Sequence, residues 1–159
     1  MTDHVLLGCL AATIAIGGCS AGPGEVIAEL QARRALVTKL EFTTTSSLPS
    51  NPPPPVHVSL TDATAAESVY DATLALPVFP DGTFSCPADF GILYHLVFSG
   101  SDGTIMIADV NPTGCGDVHV AGAGSSVVLR TSTSPDYWPA LAQGLGIPES
   151  EIYPYVVPN

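Results

Sequence analysis

Cys86 and Cys115 constrain this chain more than any other residues. They flank two runs of strand composition, Ile92 to Phe98 and Thr104 to Val110, joined by the turn-forming Ser99 to Gly103. Branched and aromatic side chains suit a pleated, half-buried surface, so the two runs are expected to pair as a β-hairpin. A Cys86–Cys115 bond would clamp the open end of that hairpin. Such a bond persists only in an oxidising compartment. A redox or catalytic thiol pair is the poorer alternative, because the C-x-x-C spacing is missing. Closing the segment corresponds to roughly 3.5 kcal/mol in the chain-entropy treatment. That is large against a net folding stability of about 5–15 kcal/mol.

The two remaining cysteines, Cys9 and Cys19, point the same way. Val5 to Gly18 (VLLGCLAATIAIGG) carries no charge. It is too short for a membrane span, which takes roughly 17–25 residues, but it fits the apolar region of a signal peptide. The run ends in Ile16-Gly17-Gly18-Cys19, which resembles a bacterial lipobox: an aliphatic residue, two small residues, then the cysteine that is acylated and becomes the new N-terminus. The expectation is a signal peptide over 1–18, lipidation of Cys19, and a tether and lead-in over 19–36. Met1 to His4 departs from the pattern, since a signal peptide normally begins with positive charge.

The rest, 37–159, reads as one α+β domain. Val37 to Thr45 and Val56 to Leu60 alternate apolar with polar residues and are expected to be strands. Ser46 to Pro55 between them is a proline-rich loop. Glu25 to Ala35 suits either a loose helix or the lead into a strand. The main helix is expected after Asp62, with Thr64 and Glu67 as a capping box and Ala66, Val69, Tyr70 and Leu74 as its apolar stripe. Pro77 stops it. Asp117 to Ala121 and Ser126 to Thr131 form a second hairpin around Gly122-Ala123-Gly124. A short C-terminal helix follows Ser134-Pro135, with Trp138, Leu141 and Leu145 inward. The tail from Pro148 is expected to be irregular. The sum is an antiparallel sheet of about six short strands, one main helix, one short helix and one disulfide.

Several stretches resemble an uncharacterised domain that recurs in predicted bacterial lipoproteins. The carriers are Leu74 to Pro77, the block Phe84-Ser85-Cys86-Pro87-Ala88-Asp89-Phe90-Gly91, Tyr94 to Phe98, Gly114-Cys115, and Tyr137-Trp138 to Leu145-Gly146. The resemblance spans roughly 37–147. It implies an envelope location and brings no activity with it. A Cys-Pro, two strands and a later Cys also resemble the C-terminal half of subtilisin-type protease inhibitors. There the bond offered to the protease follows the Cys-Pro, which maps to Ala88-Asp89-Phe90 here. Asp89 is a poor lure for such a protease, and the second disulfide of that family is missing.

Charge excludes one class of partner. Four Lys and Arg stand against 15 Asp and Glu, a net charge of −11, which repels nucleic-acid phosphates. Candidate chemistry is sparse. His95 and His119 fall on the faces of their strands opposite Tyr94-Leu96-Phe98 and Val118-Val120. If those strands were neighbours, His95, His119, Asp109 and Asp117 would share a surface. No H-x-x-H or HExxH spacing accompanies them, so they read as solvated sheet residues. Ser125 after Gly122-Ala123-Gly124 lacks the helix that a nucleophile elbow requires. Asp81, Asp89 and Asp102 read as turn residues. Tyr94, Phe98, Tyr137, Trp138, Tyr153 and Tyr155 suit a core better than a ligand groove. The expectation is an extracytoplasmic, lipid-anchored protein at the cell envelope. It binds a protein or small-molecule partner or serves a structural role, with no catalysis, metal or cofactor. The alternatives are a secreted protease inhibitor and an envelope enzyme using His95 and His119.

Overall fold

The computed structural model describes residues 21–47 and 54–152. His4, Cys9, the lipidation candidate Cys19, Tyr153 and Tyr155 lie outside the described residues. The chain runs α1 (Pro23–Ala32), a 3-10 turn (Arg34–Leu36), β1 (Lys39–Ser46), β2 (His57–Leu60), α2 (Ala63–Leu74), β3 (Ile92–Gly100), β4 (Gly103–Val110), β5 (Asp117–Gly122), β6 (Ser125–Arg130), α3 (Tyr137–Leu145) and α4 (Glu149–Ile152). The six strands form one sheet in the order β2-β1-β3-β4-β5-β6. Every pairing is antiparallel. The fold class is α+β.

Alternation divides the sheet into two faces. Leu40 and Phe42, Ile92, Tyr94, Leu96 and Phe98, Val118 and Val120, and Val127 and Leu129 are buried. Against them pack Val26 and Leu30 of α1, Ala66, Val69, Tyr70 and Leu74 of α2, and Trp138, Leu141 and Leu145 of α3. Burying a large apolar side chain is worth about 1.5–3 kcal/mol, so this one layer carries most of the stability. The opposite face is left open. Among the described residues no helix is long and apolar enough to cross a membrane.

Two local outcomes differ from the pattern of the sequence, and a third decides an alternative it left open. Asp62, not Thr64, caps α2: its carboxylate accepts the Thr64 and Ala65 N–H groups at 2.8 and 3.1 Å. Thr64 is thereby drawn into the first turn, and Glu67 turns to Arg34 at 2.6 Å instead of closing a capping box. The segment left open between helix and strand is α1, because tertiary contacts hold it. Val26 and Leu30 are buried, and the Tyr70 hydroxyl donates to the Leu30 carbonyl at 2.7 Å. The packed body therefore includes residues upstream of 37. The stretch after Pro148 is not irregular throughout. Ile152 at the end of α4 is fully buried, and its carbonyl accepts the Tyr94 hydroxyl.

The β3–β4 hairpin also holds an irregularity. Phe98 faces Met106 while Ser99 faces Thr104, leaving Ile105 as an extra residue. This bulge lets Ile105 and Met106 both be buried in succession. Gly100 lies beside it. A Cβ there would stand 2.3 Å from the Leu36 carbonyl oxygen, so the close approach of the 34–36 turn to the hairpin requires glycine.

Candidate functional site: the clamped 84–91 loop and the open sheet face

Between α2 and β3 the chain leaves the packed body. Val78 bridges to Leu129 of β6, with Phe79 N–H donating to the Val128 carbonyl at 2.8 Å and Arg130 N–H to the Pro77 carbonyl at 2.9 Å. Phe79 then stacks edge-on against Phe84, ring centres 5.4 Å apart. From Asp81 to Phe90 every residue is exposed. Among the described residues five large apolar side chains are exposed, and four of them, Val78, Phe84, Phe90 and Leu93, fall in this segment and the strand it enters.

The distal part of the segment is fixed despite its exposure. Cys86 is bonded to Cys115, with Cα atoms 4.8 Å apart, inside the usual range for a disulfide. Asp89 supplies the second anchor. Its carboxylate accepts the Gly91 N–H at 2.7 Å, the Thr113 hydroxyl at 3.0 Å and the Asn111 amide at 3.1 Å. These donors, Gly91 first, hold the Asp89 carboxyl below the usual carboxylate range. The Thr113 hydroxyl oxygen also accepts the Phe90 N–H at 3.2 Å, and Gly114 N–H donates to the Ala88 carbonyl at 3.3 Å. Gly91 closes the loop with φ +63°, a left-handed conformation that glycine adopts without strain. Its carbonyl accepts the Ser47 N–H at 2.8 Å. Asn111 and Thr113 sit in the connection between β4 and β5. Their partnership with Asp89 joins segments 22 to 24 residues apart, and no local pattern encodes it.

The second cluster lies on the open face. Strand order makes β4 the neighbour of both β3 and β5. Asp109 is directly opposite His95 on one side and His119 on the other. The row continues through Thr43 to His57. His95 Nδ1 lies 2.5 Å from an Asp109 carboxylate oxygen. His119 Nε2 lies 3.0 Å from Asp117, and His57 Nε2 lies 3.3 Å from Glu41. Each described histidine thus leans on a carboxylate. Glu41 also contacts Lys39 at 2.5 Å, and that bond, with one from Ser59, lowers its pKa. His95 and His119 sit two strand spacings apart, about 10 Å between Cα atoms. Among the described residues no three His, Cys, Asp or Glu side chains converge on one point.

The other candidates have structural places. Tyr94, Phe98, Tyr137 and Trp138 are buried. Tyr94 and Trp138 meet edge-on at 6.2 Å between ring centres, as core aromatics do. Ser125 opens β6 after a tight turn in which Ala123 and Gly124 have φ +55° and +80°, so no helix follows it. No protein-family model, curated protein or solved structure matches the chain.

Proposed function

We propose that this chain is an exported envelope protein, lipid-anchored through Cys19, whose domain binds a protein partner through the 84–91 loop and performs no catalysis. The observation that carries this reading is the combination of exposure and fixation in that loop. Phe84 and Phe90, each 41% exposed, are held out from a backbone tied down by the Cys86–Cys115 bond and the Asp89 anchor. A loop ordered in advance gives up little conformational freedom on binding, and aromatic side chains, phenylalanine among them, are enriched at the cores of interfaces. The disulfide supports an extracytoplasmic location. The lipobox supports the anchor.

Two measurements test it. Intact mass of the protein from its native membrane fraction should show an acylated chain starting at Cys19 that gains one hydrogen pair on reduction. An unprocessed chain with free thiols would overturn the location. A photo-crosslinking residue at Phe90 should trap a discrete partner that the same residue at exposed Thr104, on the far end of the hairpin, does not. Equal trapping at both sites would overturn the loop assignment.

A substrate-like protease inhibitor is the second reading, favoured by the same exposed loop following Cys86-Pro87. Such an inhibitor presents its scissile carbonyl to the oxyanion site of the protease. Here the Ala88 carbonyl already accepts the Gly114 N–H, and Asp89 is turned into its own anchor, which weighs against it. Absence of inhibition of a subtilisin-type endopeptidase at micromolar concentration would remove it. An acid–base enzyme would need His95 and His119 to reach one reacting atom. Each ring leans on a carboxylate of its own on an open face, which does not favour that use.

A further inference from the structure

We propose that Arg130 receives a carboxylate of the protein partner, which therefore offers the loop an apolar segment carrying one acidic group in an otherwise neutral or basic stretch. This rests on the assignment of partner contact to the 84–91 loop, and it names the chemistry that the loop's neighbourhood can recognise. Arg130 is the only Lys or Arg after Lys39. The other three basic side chains are engaged with carboxylates of this chain. Arg33 meets Glu29 at 3.3 Å, Arg34 meets Glu67 and Asp71 at 2.6 and 2.7 Å, and Lys39 meets Glu41 at 2.5 Å. Arg130 makes no ion pair among the described residues. The carboxylate opposite it in register is Asp117 of β5, which pairs instead with His119 at 3.0 Å. In a chain of net charge −11, carboxylates far outnumber cations, and this half-buried guanidinium is still left without one.

Its place joins it to the loop. Arg130 ends β6, and its guanidinium turns toward the Phe79 ring, 5.8 Å from the ring centre, within the range of a cation–π contact. Phe79 in turn meets Phe84 edge-on at 5.4 Å, so Arg130, Phe79 and Phe84 form one continuous run. The clamp lies beside it. Thr131 N–H donates to the Gly116 carbonyl at 2.7 Å, next to Cys115 and its bond to Cys86. The guanidinium is also oriented. Its Nε–H donates to the Ser132 hydroxyl, while its Nη groups have no acceptor among the described residues. A planar fork held in this way is suited to take a carboxylate through two parallel bonds. The wider field sets the rest of the chemistry. A net charge of −11 repels an acidic tract, so a single carboxylate fits, flanked by apolar groups that cover Phe84.

The probe is a library of random peptides displayed on phage, selected on the full chain and then made synthetically. Peptides are kept only if a photo-crosslinking residue at Phe84 traps them. The expected result is a set with one Asp or Glu beside an aromatic or aliphatic residue. Replacing that acid by its amide in the peptide should weaken binding about tenfold or more, a change that leaves the protein untouched. Arg130→Gln should weaken the acidic peptide by a similar factor and leave the amide peptide little changed, which is the signature of a direct pair. Arg130→Lys, which keeps the charge and loses the fork, should fall between. Trapped peptides without a carboxylate, or equal losses from Arg130→Gln for the acidic and amide peptides, would overturn the inference and leave the loop reading standing. If no selected peptide is trapped at position 84, the loop reading fails and the inference fails with it. Self-association of the full chain that Arg130→Gln abolishes would assign the guanidinium to a second copy and overturn the inference as well.

Discussion

Replacing both Cys86 and Cys115 by alanine isolates what the bond contributes. The two cysteines are 29 residues apart. For a closed segment of that length the chain-entropy relation gives about −12 cal/mol/K, or about 3.6 kcal/mol at 25 °C, removed from the unfolded state. Cys86 is exposed and Cys115 half-buried, so the substitution opens no cavity in the core. The folded loop also keeps its other ties, from Asp89 to Gly91, Thr113 and Asn111 and from Gly114 to Ala88. The whole effect should therefore arise in the unfolded chain. Urea unfolding should show a loss of about 3–4 kcal/mol. Because the freed chain expands further, the denaturant slope should rise. For a chain of this size Tm should fall by roughly 7–14 °C. Near-UV circular dichroism of the folded variant should match the parent. A loss under about 1 kcal/mol with an unchanged slope would mean that the unfolded chain keeps these segments together without the bond. A larger loss accompanied by an altered near-UV spectrum would mean that the bond holds native packing, and the entropic reasoning would fail.

Four further outcomes are expected. The lowered pKa of Asp89 means that its contribution is fully present above its unfolded pKa of about 3.9 and is lost as pH falls through the lower folded value; the protection factor of the Gly91 amide should hold at about pH 4 and fall only as pH drops through that folded value, and it should be lost at about pH 6 in Asp89→Ala. Gly100→Ala should cost about 1–3 kcal/mol in urea unfolding, because its Cβ meets the Leu36 carbonyl oxygen at 2.3 Å and a backbone atom cannot swing aside. Tyr137→Phe should be neutral or stabilising by up to about 1 kcal/mol. Burial raises the Tyr137 phenol to about 12 with Thr73 as its polar neighbour, yet the hydroxyl lacks a well-formed hydrogen bond among the described residues, so its removal leaves nothing newly unpaired. Ala123→Asn should raise Tm by a few degrees, since Ala123 sits at φ +55° where asparagine is tolerated better than alanine.

What was legible in the sequence was whatever rests on local periodicity. Alternation alone places Tyr94, Leu96 and Phe98 on the buried face and His95 on the open one, and the spacing of Trp138, Leu141 and Leu145 gives the inner stripe of α3. The Cys86–Cys115 pairing followed from composition and compartment. What escaped was decided by contacts between distant segments. Asp62 and Thr64 are both competent caps, and it is Asp62 that accepts the Thr64 and Ala65 N–H groups. The α1 helix depends on the Tyr70 hydroxyl reaching Leu30 across 40 residues. A four-residue helix such as α4 has no periodicity to read, and its place is set by burial of Ile152. The bulge at Ile105 leaves no trace in a run that is apolar at both 105 and 106. The His95–Asp109–His119 row required the strand order, which hairpin spacing suggests but does not dictate.

The two exposed regions also differ in kind, which separates their roles. A sheet covered by helices on one side must offer the other to water or to a partner. Along this open face His57, Thr43, His95, Asp109 and His119 form one polar row ending at Val128, and Ser59 and Glu41 lead into Val97 and Ile107 in the next; Val97, Ile107 and Val128 are half-buried, and Leu93, at the loop end of the face, is exposed. Such a surface is well solvated and gives a protein partner little apolar area to cover. Four of the five exposed large apolar side chains among the described residues gather from Val78 to Leu93, and the anchors at Cys86 and Asp89 tie down the distal part of that segment. The proposed partner contact accordingly draws on the loop rather than on the sheet face. Loop and face are joined covalently through β3 and again through the Cys86–Cys115 bond, which leads into β5. His95→Ala and His119→Ala should leave crosslinking from position 90 untouched. A change in that crosslinking would mean that loop and face form one site, with Leu93 and Asp89 as its shared edge.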